Sequence, residues 1–142
     1  MTPTVKIVIG LAATVVMGWV YHAPLGNGEA FVGGLEAQAR AKVAAAELPG
    51  IAVSAARQPM SRTMILSGPA DQFQREGMGE MPGLTGRVEA VEGVAAVRWA
   101  DEGKGSRGLP LFAELLAGLV PVYLLGLLLG RLLFRPKRET YL

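Results

Sequence analysis

The apolar stretch LPLFAELLAGLVPVYLLGLLLG at Leu109–Gly130 decides the fold of this chain. It contains one charged residue, Glu114, and Arg131 follows it directly. At about 1.5 Å of rise per residue, a helix of this length covers the roughly 30 Å hydrocarbon core of a bilayer. We therefore predict a transmembrane helix over residues 109–134 and a basic cytoplasmic tail over residues 135–142.

A second, shorter apolar segment, IVIGLAATVVMGWVY, lies at Ile7–Tyr21. With its flanking residues it is long enough for one span. A charged residue followed by a short apolar run is also typical of a cleaved signal peptide, but the small-x-small cleavage pattern is poor because Tyr21 lies two positions before Ala23. The sequence favours an uncleaved anchor over residues 1–22, with a cleaved signal as the alternative.

The charges next to the two apolar segments predict the orientation of the chain. Five Lys or Arg residues and one acidic residue, Glu139, flank the segments on one side, so the positive-inside rule places both termini in the cytoplasm. Residues 22–108 then lie in the periplasm of a bacterium, and the protein in its inner membrane. Because this middle region is almost neutral, the basic pI of about 9.2 does not predict a nucleic-acid partner. The interfacial anchors that we predict are Trp19, Tyr21, His22, Arg131, Arg135, Lys137 and Arg138.

Only residues 35–101 are predicted to fold into a globular domain. They lie between a linker at 23–34 and a glycine-rich linker at 102–108. A helix starting at Leu35 is stopped by Pro49 and Gly50. Two strands, 51–57 and 62–67, should form a hairpin, and Asp71 is a suitable N-cap for the next helix. A helical turn at 87–92 and a last strand at 94–99 complete an α+β domain.

This order of helix, strand, strand, helix and strand resembles one BON domain of bacterial periplasmic and outer-membrane proteins. The resemblance is carried by LPGIAVS at 48–54, LSGPA at 66–70 and VEGVAAVRW at 91–99, where Gly68 and the set Gly93, Val94 and Val97 match the family pattern. It implies a single periplasmic BON-like domain between two transmembrane helices. The segment GMGEMPGLTG at 77–86 departs from the family, so we expect the second helix to be broken, shifted or replaced by a loop.

No residue pattern in the chain indicates catalysis. There is one histidine, His22, and no cysteine, so neither a metal site nor a cysteine nucleophile can be assembled from the usual spacings. The glycine-rich segment 77–86 lacks the lysine of a phosphate-binding loop. We therefore predict a protein that is not an enzyme, with no catalytic residue, metal or cofactor.

The remaining signals concern association between helices. Gly10, Thr14 and Gly18 are four residues apart in the first apolar segment, a spacing that allows another helix to approach closely. Glu114 either reaches the headgroup zone or pairs with a basic residue of a partner. The second segment offers its own small residues for helix packing: Gly118, Gly126 and Gly130.

These features predict an accessory or assembly subunit of a larger membrane complex, with respiratory and photosynthetic complexes as candidate hosts. Its partners would be membrane lipids and other transmembrane proteins, and homo-oligomerisation is left open. The alternative is an envelope-maintenance protein whose domain docks on phospholipid headgroups, as BON-like domains are associated with membrane attachment. The cationic contacts would then be Arg57, Arg62, Arg98, Lys104 and Arg107.

Overall fold

The computed structural model describes residues 2–79, 81–103 and 108–133. Within these ranges the protein is a mixed α+β structure with a helix long and apolar enough to cross a membrane on each side of a small domain. The first of these helices, α1, is Pro3–His22. It begins at Thr2, whose hydroxyl accepts the Val5 N–H, and Pro3 occupies the first turn, where a missing N–H costs nothing.

The second apolar helix, α5, is Leu111–Leu133. The two helices run antiparallel, because Tyr123 lies against Gly10 near the start of α1 and Leu119 lies against Gly18 near its end. Helices of this length are roughly 30 Å and 35 Å long, which matches the hydrocarbon thickness of a bilayer. Their surfaces are almost entirely unburied, unlike those of core helices in a soluble protein.

A helix, α2, spans Asn27–Ala44 and opens the domain. It therefore includes residues 27–34, which the sequence assigned to a linker. Gly33 and Gly34 disfavour a helix, but Val32 is fully buried and extends the apolar stripe of Leu35, Ala39 and Val43 by one turn. Burial of Val32 together with the rest of this stripe offsets the cost of about 1 kcal/mol for each helical glycine.

The predicted hairpin is present. Strand β1 (Ala52–Arg57) pairs antiparallel with β2 (Met60–Ser67), and β2 pairs in parallel with β5 (Ala96–Trp99), so the sheet order is β1-β2-β5. The last strand is two residues shorter than predicted. Gly68, with φ of +127°, follows β2 in close contact with Gly50, where a Cβ would collide with the Gly50 backbone.

The segment that connects β2 to β5 does not form one continuous helix, as predicted from residues 77–86. Helix α3 (Gln72–Glu76) begins at Asp71, which forms a capping box with Gln74. Two very short strands, β3 (Gly77–Met78) and β4 (Met81–Pro82), then form a small hairpin. Helix α4 (Leu84–Glu89) follows, three residues earlier than the predicted turn at 87–92. A 3₁₀ turn at Ala100–Glu102 comes after β5, so the predicted linker at 102–108 begins within it, and residues 104–107 lie outside the described residues.

One apolar core lies between the sheet and the helices α2 and α4. Trp99 is almost fully buried there, and its indole N–H donates to Thr85 Oγ1 at 3.1 Å. The guanidinium of Arg75 covers the outer face of the indole ring at 4.2 Å and is held by Asp101. The core is formed by Val32, Leu35, Ala39, Val43, Val53, Ala55, Met64, Leu66, Leu84, Val88, Val97 and Trp99.

Candidate functional site

The domain is attached to α5 by an ion pair between residues far apart in sequence. Arg62 at the start of β2 donates from Nε to Glu114 Oε2 at 2.7 Å and from Nη2 to Glu114 Oε1 at 3.2 Å. Its Nη1 donates to the Gly93 carbonyl at 3.0 Å, so one guanidinium ties together β2, the loop before β5 and the first turn of α5. The side chains are 32% and 22% exposed. The hydrogen bonds to Glu114 raise the pKa of Arg62, although burial acts in the opposite direction.

Backbone contacts reinforce this attachment. Ser61 and Pro110 form an isolated antiparallel bridge directly beside the ion pair. Gly108 passes so close to β2 that a Cβ there would lie 2.6 Å from Thr63 Oγ1. We call the set Ser61, Arg62, Gly93, Pro110 and Glu114 the helix–domain junction. It holds the start of the sheet against the start of α5.

The structure thus brings together two candidates that the sequence treated separately. Glu114 was a candidate for a partner ion pair and Arg62 for a lipid contact, and each satisfies the other within the chain. A bidentate arginine–carboxylate pair of low exposure leaves little free charge for an outside ligand. No sequence signal links the two residues, because 52 positions separate them and only the packing of β2 against α5 joins them.

The small-residue positions of α1 face α5. A Cβ on Gly10 would collide with the Tyr123 ring, and one on Gly18 would lie 3.0 Å from Leu119 Cδ1. The Tyr123 hydroxyl donates to the Ile7 carbonyl at 3.0 Å, while the Thr14 hydroxyl is used within its own helix, donating to the Gly10 carbonyl at 2.9 Å. The glycines therefore allow the two helices to approach closely.

We predict that Gly10→Leu separates α1 from α5, because the new side chain and the Tyr123 ring would need the same space. Crosslinking between cysteines introduced at Thr14 and Leu119, which line the same cavity between the helices and leave Tyr123 in place, should fall several-fold in the variant. The matched control is Gly118→Leu, since a Cβ on Gly118 would find no atom of the described residues within 4 Å. Equal crosslinking in wild type and Gly10→Leu would contradict the observed packing.

The glycines of α5 are placed differently from those of α1. A Cβ on Gly118, Gly126 or Gly130 would find no atom of the described residues within 4 Å. Gly126 follows Leu119 by seven residues, and Gly130 follows Tyr123 by seven, so both continue the side of α5 that contacts α1. Gly126 and Gly130 are, however, not in close contact with α1, unlike Tyr123, which lies against Gly10.

Most of the arginines proposed for lipid binding are already engaged. Arg57 donates to Glu29 Oε1 at 2.9 Å and to Glu36 Oε2 at 2.8 Å, and Arg98 donates to the Gly103 carbonyl. Arg62 belongs to the helix–domain junction. Lys104 and Arg107 lie outside the described residues.

Glu36 is a buried carboxylate that the sequence analysis did not single out. Its side chain is 7% exposed, and it accepts hydrogen bonds from Arg40, from Arg57 and from the Ala55 N–H at 3.1 Å. Arg40 Nε also donates to the Val53 carbonyl at 3.4 Å. The side chains of Glu36 and Arg40 thus bind backbone groups at the outer edge of β1, where no neighbouring strand is present among the described residues. Covering an edge strand in this way protects against edge-to-edge aggregation.

The environment of Glu36 favours its charged form. Burial acts to raise the pKa of this carboxyl, but the Ala55 N–H and the two guanidiniums outweigh burial and hold the pKa below its usual value. The same contacts raise the pKa of Arg57, chiefly through its hydrogen bond to Glu36. The sequence did contain a sign of this burial. Glu36 lies at helical spacing from Val32, Ala39 and Val43, and a carboxylate on an apolar helix face needs a partner.

The predicted interfacial anchors cluster at the end of α1. Trp19 and Tyr21 are more than half exposed on its surface, and the His22 ring packs against Phe112 with centroids 5.7 Å apart. Arg131 lies in the last turn of α5. Arg135, Lys137 and Arg138, together with the rest of the tail at 135–142, fall outside the described residues.

The described part of the chain contains no group of three or more His, Cys, Asp or Glu side chains that could hold a metal ion. Comparison of the chain with protein-family models, with curated proteins and with solved structures finds no match in any of the three. Three features of the described structure bear on function: the helix–domain junction, the contact between α1 and α5, and the surface that α5 leaves uncovered.

Proposed function

We propose that this protein is a non-enzymatic accessory subunit of a membrane complex, anchored by α1 and α5 in the bacterial inner membrane. In this proposal both termini are cytoplasmic, and the domain, which we regard as BON-like, lies in the periplasm. The basic residues flanking α1 and α5 support the orientation. The hydrogen bond between Tyr123 and Ile7 supports α1 as a retained transmembrane anchor and not a cleaved signal peptide.

The observation that carries the proposal is the uncovered glycine face of α5. Gly126 and Gly130 form a GxxxG pair, and neither is covered by the described residues. In a bilayer, such faces allow another helix to approach closely and gain dispersion contacts. The glycines of α1 are already used inside the protein, so the face at Gly126 and Gly130 is the surface best suited to a partner's transmembrane helix.

The domain is presented to a partner in a defined orientation. The bidentate pair of Arg62 and Glu114 and the bridge between Ser61 and Pro110 restrain it against α5. A restrained domain loses less conformational freedom on binding than one on a free linker. The ion pairs of Arg57 and Arg62 also favour this function over headgroup docking, which would need those charges free.

The test is extraction of the tagged full-length protein from its native membrane in mild detergent, followed by size analysis and mass spectrometry. We expect a stoichiometric complex with at least one other membrane protein. Gly126→Leu together with Gly130→Leu should reduce recovery of the partner by about tenfold or more, because bulky side chains keep the helices apart.

Gly118→Leu is the control for this experiment. Gly118 is equally uncovered, but it lies outside the side of α5 that Leu119, Tyr123, Gly126 and Gly130 share. Its substitution should leave partner recovery unchanged. A monomer without partners in the wild-type extract would overturn the proposal, and so would equal loss of the partner in the control.

A further inference from the structure

A groove runs along the contact between α1 and α5 and opens to the outside of the protein. Its longer part is a cavity of about 510 Å³ lined by Thr14, Met17, Gly18, Tyr21, Leu115 and Leu119. A second cavity of about 240 Å³ continues it toward the domain. Because Tyr21 and Leu115 line both cavities, we treat them as one interhelical groove. Its size falls in the range of small-molecule sites.

The polarity of the groove changes along its length. The part between the helices is almost wholly apolar, whereas the part near the domain is bordered by His22, Asn27 and Phe31. Asn27 Nδ2 donates to the Tyr21 carbonyl at 3.2 Å, which leaves Asn27 Oδ1 without a partner among the described residues. The ring nitrogens of His22 likewise have no hydrogen-bond partner in the described ranges. An open apolar groove that ends in a few convergent polar groups matches an amphiphilic ligand.

The domain closes the outer end of the groove. Asn27 and Phe31 belong to the first two turns of α2, which lies across the end of α1. A partner's transmembrane helix in the groove would have to continue through this position. A lipid-like molecule can end there, with its head group against the polar residues and its tail between α1 and α5.

The lining also restricts the charge of the head group. Among the described residues, neither cavity is lined by Lys, Arg, Asp or Glu. Phosphate groups are typically bound by arginine, lysine or clusters of backbone N–H groups. The walls at this end are instead aromatic, with Tyr21, Phe31 and the His22 ring, which is packed on Phe112. Such walls suit a planar, uncharged ring.

We propose that the interhelical groove binds an isoprenoid quinone. The quinone ring lies between Phe31 and His22, one carbonyl oxygen accepts a hydrogen bond from the imidazole N–H, and the isoprenoid tail follows Leu115, Gly18 and Leu119 into the bilayer. This binding site goes beyond the proposed function. It rests on the membrane placement in that proposal and does not require a protein partner.

The test uses the full-length protein reconstituted in phosphatidylcholine vesicles and a photoreactive azidoquinone, with labelled peptides identified by mass spectrometry. We expect labelling within residues 14–31 and 111–119 that decylubiquinone displaces and added phosphatidylglycerol does not. Retention of the protein in the vesicles at alkaline pH is measured first. Loss of the protein at that step would refute the membrane placement itself, a failure distinct from absence of labelling in protein that is retained.

Two variants probe the two ends of the ligand. His22→Phe keeps an aromatic ring against Phe112 and removes the hydrogen-bonding nitrogens, so the apparent affinity for decylubiquinone should fall by about tenfold. Leu115→Trp fills the point where the two cavities meet and should abolish displaceable labelling. Leu125→Trp, on an exposed part of α5 outside the groove, is the matched control and should bind as wild type does.

Several outcomes would overturn this proposal. Displacement by phosphatidylglycerol at the same concentration as decylubiquinone would show a phospholipid site. Labelling that His22→Phe and Leu115→Trp leave unchanged would show that the quinone reacts from the bilayer without binding in the groove. Crosslinks from groove residues to a partner's helix in native membranes would show that protein fills it.

Discussion

Replacing Glu36 with alanine should lower the free energy of unfolding of the domain by about 3 kcal/mol. The change leaves the Ala55 N–H without its acceptor and removes the carboxylate that Arg40 and Arg57 share. Glu36→Gln should cost about half as much, because its amide oxygen can still accept one hydrogen bond. A domain of this size has little stability in reserve, so these are large fractions of the total.

Thermal unfolding of the full-length protein in detergent, followed by the fluorescence of the buried Trp99 in a Trp19→Phe background, measures this effect. A loss of about 3 kcal/mol corresponds to a decrease in Tm of roughly 12 °C or more for a domain of this size. Glu89→Ala is the control, since Glu89 is exposed and has no ion pair within the described residues. Equal Tm values for the Glu36 and Glu89 variants would contradict the stabilising role of Glu36.

The contribution of Glu36 should also depend on pH. Its pKa is lower in the folded protein than the value of about 4.3 expected in the unfolded chain. The stabilisation is therefore fully present above pH 4.3 or so and is lost as the pH falls through the folded pKa. The difference in stability between wild type and Glu36→Gln should be constant from about pH 6 to 8 and should shrink below about pH 4. A difference that grows on acidification would have the wrong sign for this explanation.

Breaking the ion pair between Arg62 and Glu114 should release the domain from α5. Arg62→Gln leaves the Glu114 carboxylate partly buried without its counter-charge, at a cost of about 2 kcal/mol. Glu114→Gln should cost less, because Arg62 keeps the Gly93 carbonyl and has more access to solvent. The double variant should be more stable than the sum of the two single changes predicts, with a coupling energy of about 1–2 kcal/mol.

The double-mutant cycle is measured by thermal unfolding, with Lys42→Gln as a control for removal of an exposed cation from the same domain. Hydrogen exchange supplies the structural readout. The amides of Ser61 and Thr63 should exchange faster in Arg62→Gln, because the bridge to Pro110 loses its neighbouring support. Strict additivity in the cycle, or unchanged exchange at Ser61, would show that the pair does not hold the junction together.

Neither the ion pairs of Glu36 nor the pair between Arg62 and Glu114 was predicted from the sequence. The pattern of apolar and polar residues predicted two transmembrane spans and a small α+β domain between them, because long apolar runs and strand alternation are local patterns. The hairpin, the Asp71 cap and the break at 77–86 were predictable for the same reason. Helix α2 was predicted to begin too late, since the burial of Val32 that supports its first turns is a tertiary contact.

The site was less predictable than the fold. Helical spacing alone identified Gly10 and Gly18 as packing residues, but the sequence could not say whether they contact α5 or another protein. The same spacing rule applied to Gly126 and Gly130, which the described structure leaves uncovered. Which of the two similar motifs is used inside the chain depends on how α1 packs on α5, and the spacing of the glycines does not contain that information.

By itself, the sequence determined the two apolar helices, the basic flanks and the order of the main helices and strands in the domain, because hydrophobic period, charge and turn chemistry act over short stretches of chain. Only the tertiary structure decided that Arg62 neutralises Glu114, that Glu36 protects the β1 edge, and that a groove with a polar end lies between α1 and α5. Each of these depends on residues between 13 and 116 positions apart. These residues interact because folding brings them close together in space, and the local pattern of a single sequence does not contain that information.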